Sequence, residues 1–309
     1  MTLSNRKILR TLLCLLAGTL YAVCLSACDA KEPLSENRDA EIESPVIAND
    51  LSNQKVTAIA EDTQGHIWIG TFRGLNKNNV HDYHQYFCTD DSLGLPDNQI
   101  THLLRDSKNR FWVGTVNGVC LYTDKDNFRI IPIEADNKNV RQILEDRNGR
   151  IFLNTGFQLY AYHPREEKIT CVLPEISPGN AFYAQCHIAP DNNLWVMTST
   201  GLRCYDPSTL QLKESVALSG YPYYSYLHNN ELWITGNHTL SIFDTRTHSF
   251  KPLPQPIAHN TTLCNADIDY IHPYGNNGLL LNTARHGMFY YNPGTGSVTR
   301  QDENGVPFE

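Results

Sequence analysis

Seven side chains in short polar segments have the chemistry to bind a ligand: Arg73, Asn117, Tyr183, Tyr223, His238, Arg285 and His286. Arginine and asparagine offer forked hydrogen-bonding groups, and tyrosine offers a flat ring with a polar edge. The alternative for each of them is a solvated loop residue. As a set they indicate binding by hydrogen bonds and ring stacking.

Catalysis is not indicated by the sequence. His238 and His286 are single histidines to which no nucleophile and no orienting partner can be assigned. Glycoside hydrolysis would require two carboxylates across one site, whereas the acidic residues fall mainly in turns such as Glu61-Asp62 and Arg105-Asp106. We therefore expect a protein that is not an enzyme.

Composition argues against two further classes of function. The net charge is −8 and no cluster of lysine and arginine follows Arg10, so no nucleic-acid partner is expected. Six cysteines follow Cys28, namely Cys88, Cys120, Cys171, Cys186, Cys204 and Cys264. They form no CxxC pair and no zinc pattern, so we expect no metal and no cofactor. Most of the six are interpreted as small core residues.

A large apolar residue recurs beyond Leu51 with a period of about 40 to 45 residues, which is typical of propeller blades. The anchors are Trp68, Trp112, Phe152, Trp195, Trp233 and Leu280. An alternating segment and a polar turn such as DTQG precede the anchor, and a second short turn follows it. The pattern predicts an all-β fold: a β-propeller with six recognisable four-stranded blades over residues 51–309, with the anchors buried between blades.

The predicted propeller gathers the seven candidate side chains at one end of the molecule. In a propeller, the loop between the second and third strands of a blade lies on the same face as the link into the next blade. The candidate side chains fall in these loops and links, whose residues the blade core does not constrain. A shared face is therefore expected to carry any ligand site.

The N-terminus predicts export. Residues 1–28 combine a basic start at Arg6, Lys7 and Arg10 with an apolar run and the lipobox-like ending LSAC, which places a lipid on Cys28. An ordinary signal peptide and an uncleaved anchor helix are the alternatives. Residues 29–50 are acidic and aperiodic, and they are interpreted as a tether. The rest of the chain is expected to face the periplasm on a membrane anchor.

Gly94–Val119, which reads GLPDNQITHLLRDSKNRFWVGTVNGV, resembles the repeat of the two-component regulator propeller family. Leu51–Leu75 matches nearly as well, while later units depart from the repeat, for example at Phe152 and Leu280. The resemblance implies the periplasmic sensor region of a hybrid two-component histidine kinase of Bacteroidetes, commonly one that recognises an oligosaccharide. The kinase, receiver and DNA-binding modules of that family find no counterpart in these residues, so the chain alone is not expected to phosphorylate a substrate.

The last residues bear on the number of blades. Glu303–Glu309, ENGVPFE, aligns with SLGLPDN, which leads into the first strand of a blade. The sequence therefore predicts an incomplete ring that stops before a seventh blade. A six-bladed ring closed on itself is the competing arrangement.

Three functions stay open at this point. The leading one is a ligand-sensing propeller of a sensor kinase with a small oligosaccharide ligand. The alternative is a free-standing surface lipoprotein that binds a glycan or a protein without signalling. The third, a propeller lyase, rests on a similar tryptophan-containing repeat and would need His238 or His286 as its catalytic histidine. A second propeller or a second copy of the chain is a further candidate partner.

Overall fold

The structure is a computed structural model that describes residues 45–79, 81–89, 94–123, 125–135, 137–175, 184–275 and 277–301. The predicted signal peptide, the lipidation site Cys28 and most of the tether lie outside the described residues. Tyr183 and residues 302–309 also lie outside them. The predictions made for these segments therefore stay predictions.

Tight turns close the first hairpins, as the sequence predicts. Gly65, Asn109, Gly149 and Asn192 occupy corresponding turn positions with φ of +85°, +63°, +74° and +68°. Glycine adopts this left-handed conformation without a steric penalty, and asparagine tolerates it because its side chain bonds locally. The turns reverse the chain so that the alternating segments on either side pair as antiparallel strands.

Six antiparallel sheets of consecutive strands result, and each is one blade. Strand β1 (Val46–Ala48) precedes blade one, which consists of β2 (Val56–Glu61), β3 (Ile67–Thr71), β4 (Gly74–Asn79) and β5 (Asp82–Tyr86). Blade two consists of β6 (Ile100–Arg105), β7 (Phe111–Thr115), β8 (Gly118–Thr123) and β9 (Asn127–Ile131). Blade three consists of β10 (Gln142–Glu145), β11 (Ile151–Asn154), β12 (Leu159–His163) and β13 (Lys168–Leu173).

The remaining blades repeat this plan. Blade four consists of β14 (Gln185–Ile188), β15 (Leu194–Thr198), β16 (Gly201–Tyr205) and β17 (Leu212–Ala217). Blade five consists of β18 (Pro222–His228), β19 (Glu231–Gly236), β20 (Thr239–Asp244) and β21 (Ser249–Lys251). Blade six consists of β22 (Ile268–Tyr274), β23 (Gly278–Thr283), β24 (Gly287–Asn292) and β25 (Ser297–Gln301). The chain is thus an all-β propeller of six four-stranded blades over the described residues.

Two short helices lie between blades five and six: α1 (Gln255–Ala258) and α2 (Thr261–Asn265). Each buries one side chain, Ile257 and Leu263, in the apolar cluster around Trp233. Within the described ranges, no helix has the length and apolar character needed to cross a membrane.

The first blade extends further towards the N-terminus than the sequence predicts. Residues 29–50 are expected to be a tether, yet Val46–Ala48 pairs in antiparallel register with β5 and adds a fifth strand to blade one. The Gln85 side chain donates to the carbonyl oxygen of Asp50 at 2.8 Å. Without β1, the outer strand β5 of blade one would have an unpaired edge. Pairing with β1 covers this edge.

The core consists of layers between neighbouring blades. Trp68, Trp112, Phe152, Trp195 and Trp233 are all buried. The Trp68 ring, for example, lies 5.0 Å from the Phe111 ring of blade two. Leu280, the sixth anchor, is only partly buried, because no described blade covers the face of blade six on which it lies.

The cysteines divide equally between the interior and the surface. Cys120, Cys186 and Cys204 are buried, as predicted for core residues. Cys88, Cys171 and Cys264 are exposed, so the interpretation that most of the six lie in the core is wrong. Among the described residues, no three His, Cys, Asp or Glu side chains converge in a way that could hold a metal ion.

Candidate functional site

Six of the seven predicted binding residues are exposed at one edge of the blades. In an antiparallel blade, the second strand ends on the edge at which the first strand begins. Arg73, Asn117, His238, Arg285 and His286 lie in loops that join second and third strands, and Tyr223 lies at the start of a first strand. All six side chains are exposed. We call this edge the loop face.

In blades one, two and six, a threonine at the end of the second strand holds the loop in shape. The Thr71 hydroxyl donates to the carbonyl oxygen of Gly74 at 2.8 Å and accepts from the Arg73 amide at 3.1 Å. Thr115 and Thr283 make the corresponding pairs of bonds in blades two and six. The recurring threonine is thus a loop clamp that fixes the backbone beneath the exposed side chains.

One cleft on the loop face lies between blades five and six. It has a volume of about 380 Å³ and is lined by Tyr221, Pro222, Tyr223, Asn237, Asp267, Asp269 and Ala284. Tyr221 is 74% exposed and Tyr223 is 38% exposed, so both rings are available to a ligand. The volume lies within the usual range for small-molecule sites.

Negative charge dominates this cleft. Asp267 and Asp269 are its only ionisable side chains besides the two tyrosines, and no described lysine or arginine lines it. Partial burial raises the pKa of Tyr223, and the two nearby carboxylates raise it further. Its hydroxyl therefore stays protonated and can donate as well as accept hydrogen bonds. The cleft suits a neutral or cationic ligand with several hydrogen-bond donors.

His238 supports the cleft without lining it. Its backbone amide donates to Asp267 Oδ1 at 3.0 Å, and its Nδ1 lies 3.0 Å from the carbonyl oxygen of Asn265. Nδ1 also lies 3.3 Å from Asp267 Oδ1. These contacts hold the Asp267 carboxylate in place, so His238 acts as a positioning residue. Arg285 and His286 follow Ala284 directly and flank the cleft in sequence.

The structure does not bring all the predicted residues together. Arg73 and Asn117 lie on the loop face in blades one and two, and neither lines this cleft. Sequence reasoning missed Tyr221, Asn237, Asp267 and Asp269. Alignment of the blades on their first strands could have found the two carboxylates.

That alignment follows from the strand registers. Ile268 pairs with Thr283 just as Ile100 pairs with Thr115, so Asp267 and Asp269 occupy the positions of Gln99 and Thr101 in blade two. Two positions that are neutral in blade two are thus acidic in blade six. The change falls on the loop face, whereas the sequence favours acidic residues mainly in the turns of the opposite face.

A larger cleft of about 470 Å³ lies at the opposite edge of blades five and six. Two of its charged groups are already paired, since the Lys251 ammonium contacts the Glu231 carboxylate. Asp244 accepts hydrogen bonds from the amides of Arg246 and Thr247. We therefore assign the candidate site to the cleft on the loop face.

The family model of the two-component regulator propeller matches residues 50–73 and 94–117. Among solved structures, the extracellular domain of a B. thetaiotaomicron protein described as a hybrid two-component system is 19% identical with a TM-score of 0.66, over 86% of this chain and 38% of that chain. A second B. thetaiotaomicron extracellular domain, described as belonging to a one-component system, is 22% identical with a TM-score of 0.61, over 86% and 36%.

Virginiamycin B lyase from Staphylococcus aureus has the same fold, with 16% identity and a TM-score of 0.60 over 82% of this chain and 87% of that chain. No curated protein matches the sequence. The chain spans well under half the length of the two extracellular domains. At these identities the structural similarity establishes the β-propeller fold, and the family match shows that residues 50–73 and 94–117 are similar to the two-component regulator propeller repeat.

Proposed function

We propose that this propeller is the ligand-sensing part of a sensor of the two-component type, and that it binds a small oligosaccharide in the cleft between blades five and six. The observation that carries the proposal is the pairing of two exposed tyrosine rings with two carboxylates in one cleft. The proposal for signalling is supported by the propeller repeats of the first two blades.

The chemistry of the cleft matches that of a sugar. Hydroxyl groups of a saccharide donate hydrogen bonds, and the carboxylates of Asp267 and Asp269 accept them more strongly than neutral oxygens do. The apolar face of a sugar ring can stack on Tyr221 or Tyr223, each of which keeps a polar edge for the ring hydroxyls. Because two carboxylates would repel a third, the oligosaccharide is neutral or amino-substituted, and uronic acids and sulfated sugars are poor ligands.

The position of the cleft offers a route for signalling. Its lining residues come from two blades, with Tyr223 on β18 of blade five and Asp269 on β22 of blade six. A ligand that contacts both sides favours the blade arrangement in which both sets of contacts form. Modules attached to the propeller would then sense the change in blade arrangement.

Export and anchoring are part of the proposal. The basic and apolar start of the chain and its LSAC ending support a lipid on Cys28 and a propeller that faces the periplasm. A free-standing surface lipoprotein would use the same cleft, and would differ only in lacking attached signalling modules.

A glycan-binding screen on the chain beyond Cys28 tests the site. We expect Tyr223→Ala and Asp267→Asn each to weaken binding of the best ligand about tenfold to a hundredfold, the effect of losing roughly 1.5–3 kcal/mol. Arg73→Ala and Asn117→Ala are matched controls, since both change exposed side chains on the loop face away from the cleft. Tyr223→Phe separates the stacking ring from its hydroxyl.

Three results of the binding screen would contradict different parts of the proposal. Equal loss in Arg73→Ala and Asp267→Asn would place the ligand elsewhere on the loop face. A preference for uronic acids or sulfated sugars would contradict the charge argument while leaving oligosaccharide sensing intact. If no glycan of any charge binds, the proposed ligand class is wrong.

A further inference from the structure

The indole nitrogen of Trp233 has no hydrogen-bond partner among the described residues, although the side chain is only 1% exposed. In blades one and two, the equivalent indole donates to a carboxylate in the turn that precedes the second strand, at 2.9 Å for Asp62 and 2.8 Å for Asp106. A buried donor without an acceptor has lost its bonds to water and gained none in return. The Trp233 indole is therefore suited to an acceptor that the described residues do not supply.

The turn of blade five lacks the carboxylate of the repeat. The strand registers place His228 where blade two has Asp106, because each directly follows the residue that pairs with the one before the tryptophan. The His228 ring stacks on Tyr226, with ring centroids 6.4 Å apart, and its Nε2 lies 3.0 Å from the side-chain oxygen of Asn277 in blade six. His228 therefore bonds to blade six instead of accepting the indole N–H.

The cleft of about 470 Å³ at the edge opposite the loop face is lined by Trp233. Its volume lies within the usual range for small-molecule sites. Part of its wall is apolar, with Ile242 and Leu253 on the side of blade five and Leu279 and Tyr291 on the side of blade six. This wall can pack against the apolar body of a ligand. We call this space the indole cleft.

One cation in the indole cleft is available to a ligand. Arg246 is exposed and forms no ion pair with a described carboxylate. The other charged groups that line the cleft have partners, since Lys251 contacts Glu231, and Asp244 accepts from the backbone amides of Arg246 and Thr247 at 2.9 and 3.1 Å. A guanidinium is always charged, and its forked donors match the two oxygens of a carboxylate. The indole and the guanidinium thus offer two kinds of donor in one cleft.

We propose that the indole cleft binds a small organic acid, whose carboxylate takes the place that the Asp106 side chain has in the repeat. The carboxylate accepts the indole N–H of Trp233 and pairs with Arg246, and the rest of the ligand packs on the apolar wall. Blade two contains the same combination within the chain, since Asp106 Oδ2 accepts from the Trp112 indole at 2.8 Å and from Arg110 Nε at 2.6 Å. A neutral ligand satisfies the indole but leaves the guanidinium without a counter-charge, so a carboxylate is favoured. This site does not depend on the oligosaccharide proposed for the loop face.

Nuclear magnetic resonance of the indole N–H groups of the full chain tests the proposal. The chain has four tryptophans, so each indole signal is identified by substituting one tryptophan with phenylalanine. Acetate, hexanoate and benzoate are the probes, and their amides are uncharged controls of matching shape. We expect at least one acid to move the Trp233 signal downfield in a saturable manner, because a charged acceptor deshields the N–H proton. Its amide should bind at least about tenfold more weakly, and the Trp112 signal should not move, because that indole is already bonded to Asp106.

Calorimetric titration of variants separates the two donors. Arg246→Gln should weaken binding of the acid at least about tenfold. Arg147→Gln is the matched control and should not, since Arg147 is an exposed arginine in a turn of blade three at the same edge and does not line the cleft. Trp233→Phe should also weaken binding about tenfold. This substitution is compatible with folding, because blade three has the buried Phe152 at the equivalent position.

Three results would overturn the proposal. If none of the three acids moves the Trp233 signal in a saturable manner, the cleft does not bind a carboxylate. Equal binding of an acid and its amide would assign the cleft to neutral acceptors instead. Equal losses in Arg246→Gln and Arg147→Gln would mean that the general charge of this edge, and not the indole cleft, attracts the acid. The glycan screen probes the loop face, so its failure would leave these results unaffected.

Discussion

The carboxylate of Asp106 is the centre of a buried hydrogen-bond network, and removing it should destabilise blade two strongly. Its Oδ2 accepts from the indole nitrogen of Trp112 at 2.8 Å and from Arg110 Nε at 2.6 Å. Its Oδ1 accepts from the backbone amides of Lys108 and Arg110 at 3.0 and 2.8 Å. The side chain is fully buried, so Asp106→Ala leaves a buried indole N–H and the Arg110 guanidinium without their partner.

Asp146 of blade three provides an internal reference. It accepts from the amides of Asn148 and Arg150 and from Arg150 Nε, but Phe152 replaces the tryptophan, so no indole bond exists. We expect Asp146→Ala to lower the free energy of unfolding by about 2–3 kcal/mol and Asp106→Ala by about 4 kcal/mol. The difference of about 1–2 kcal/mol is the contribution of the indole bond.

Urea unfolding measures both losses, provided that the slope with denaturant does not change. Trp112→Phe in the wild-type and Asp106→Ala backgrounds completes a double-mutant cycle that isolates the indole bond. Equal losses for Asp106→Ala and Asp146→Ala, together with no coupling in the cycle, would refute this account of the anchor tryptophans.

Three further predictions concern pH, stability and location. Burial lowers the pKa of His102 and of His187 to about 4. Because the unfolded state takes up protons below about 6.5, the contribution of each histidine to the unfolding free energy should be constant above pH 7 and fall by up to about 3 kcal/mol as the pH drops from 6.5 to 4. His187→Gln should flatten this fall, and a pH-independent midpoint would contradict it. Ala189→Asp should raise the midpoint, since Trp195 Nε1 is buried without a partner among the described residues and the turn at Ala189 has the hydrogen bonds of the turn at Asp106; an unchanged midpoint would mean that the carboxylate does not reach the indole. Cys28→Ser should release the protein from the membrane fraction, and continued retention would favour an anchor helix.

The repeat could be predicted from the sequence because it depends on local physics. The turn position of Asn109 needs a left-handed backbone, the strands alternate, and a tryptophan recurs once per blade. Each of these signals spans fewer residues than one blade, so spacing alone located the six blades and the loop face. The prediction of six blades is confirmed for the described residues.

The candidate cleft could not be predicted in the same way, because its residues come from different blades. Tyr223 and Asp269 are far apart in sequence and meet only when blades five and six pack. Arg73 has the same chemistry and loop type as Arg285, yet it lies on a blade that does not contribute to the cleft. Residue type and loop position indicate which face of the propeller carries candidate binding residues. Packing between blades determines which loops on that face form a cleft.

The sequence by itself determined the all-β propeller class, the blade count over the described residues and the edge that carries the loops, because periodicity and turn chemistry act within each repeat. Only the tertiary structure decided which loops form a cleft, that β1 belongs to blade one, and which apolar faces have no neighbour. Ile59 and Ile143 occupy equivalent positions with the same residue type, and one is 65% exposed while the other is 1% exposed. Burial is a property of the neighbouring blade, which no pattern within a single repeat can specify.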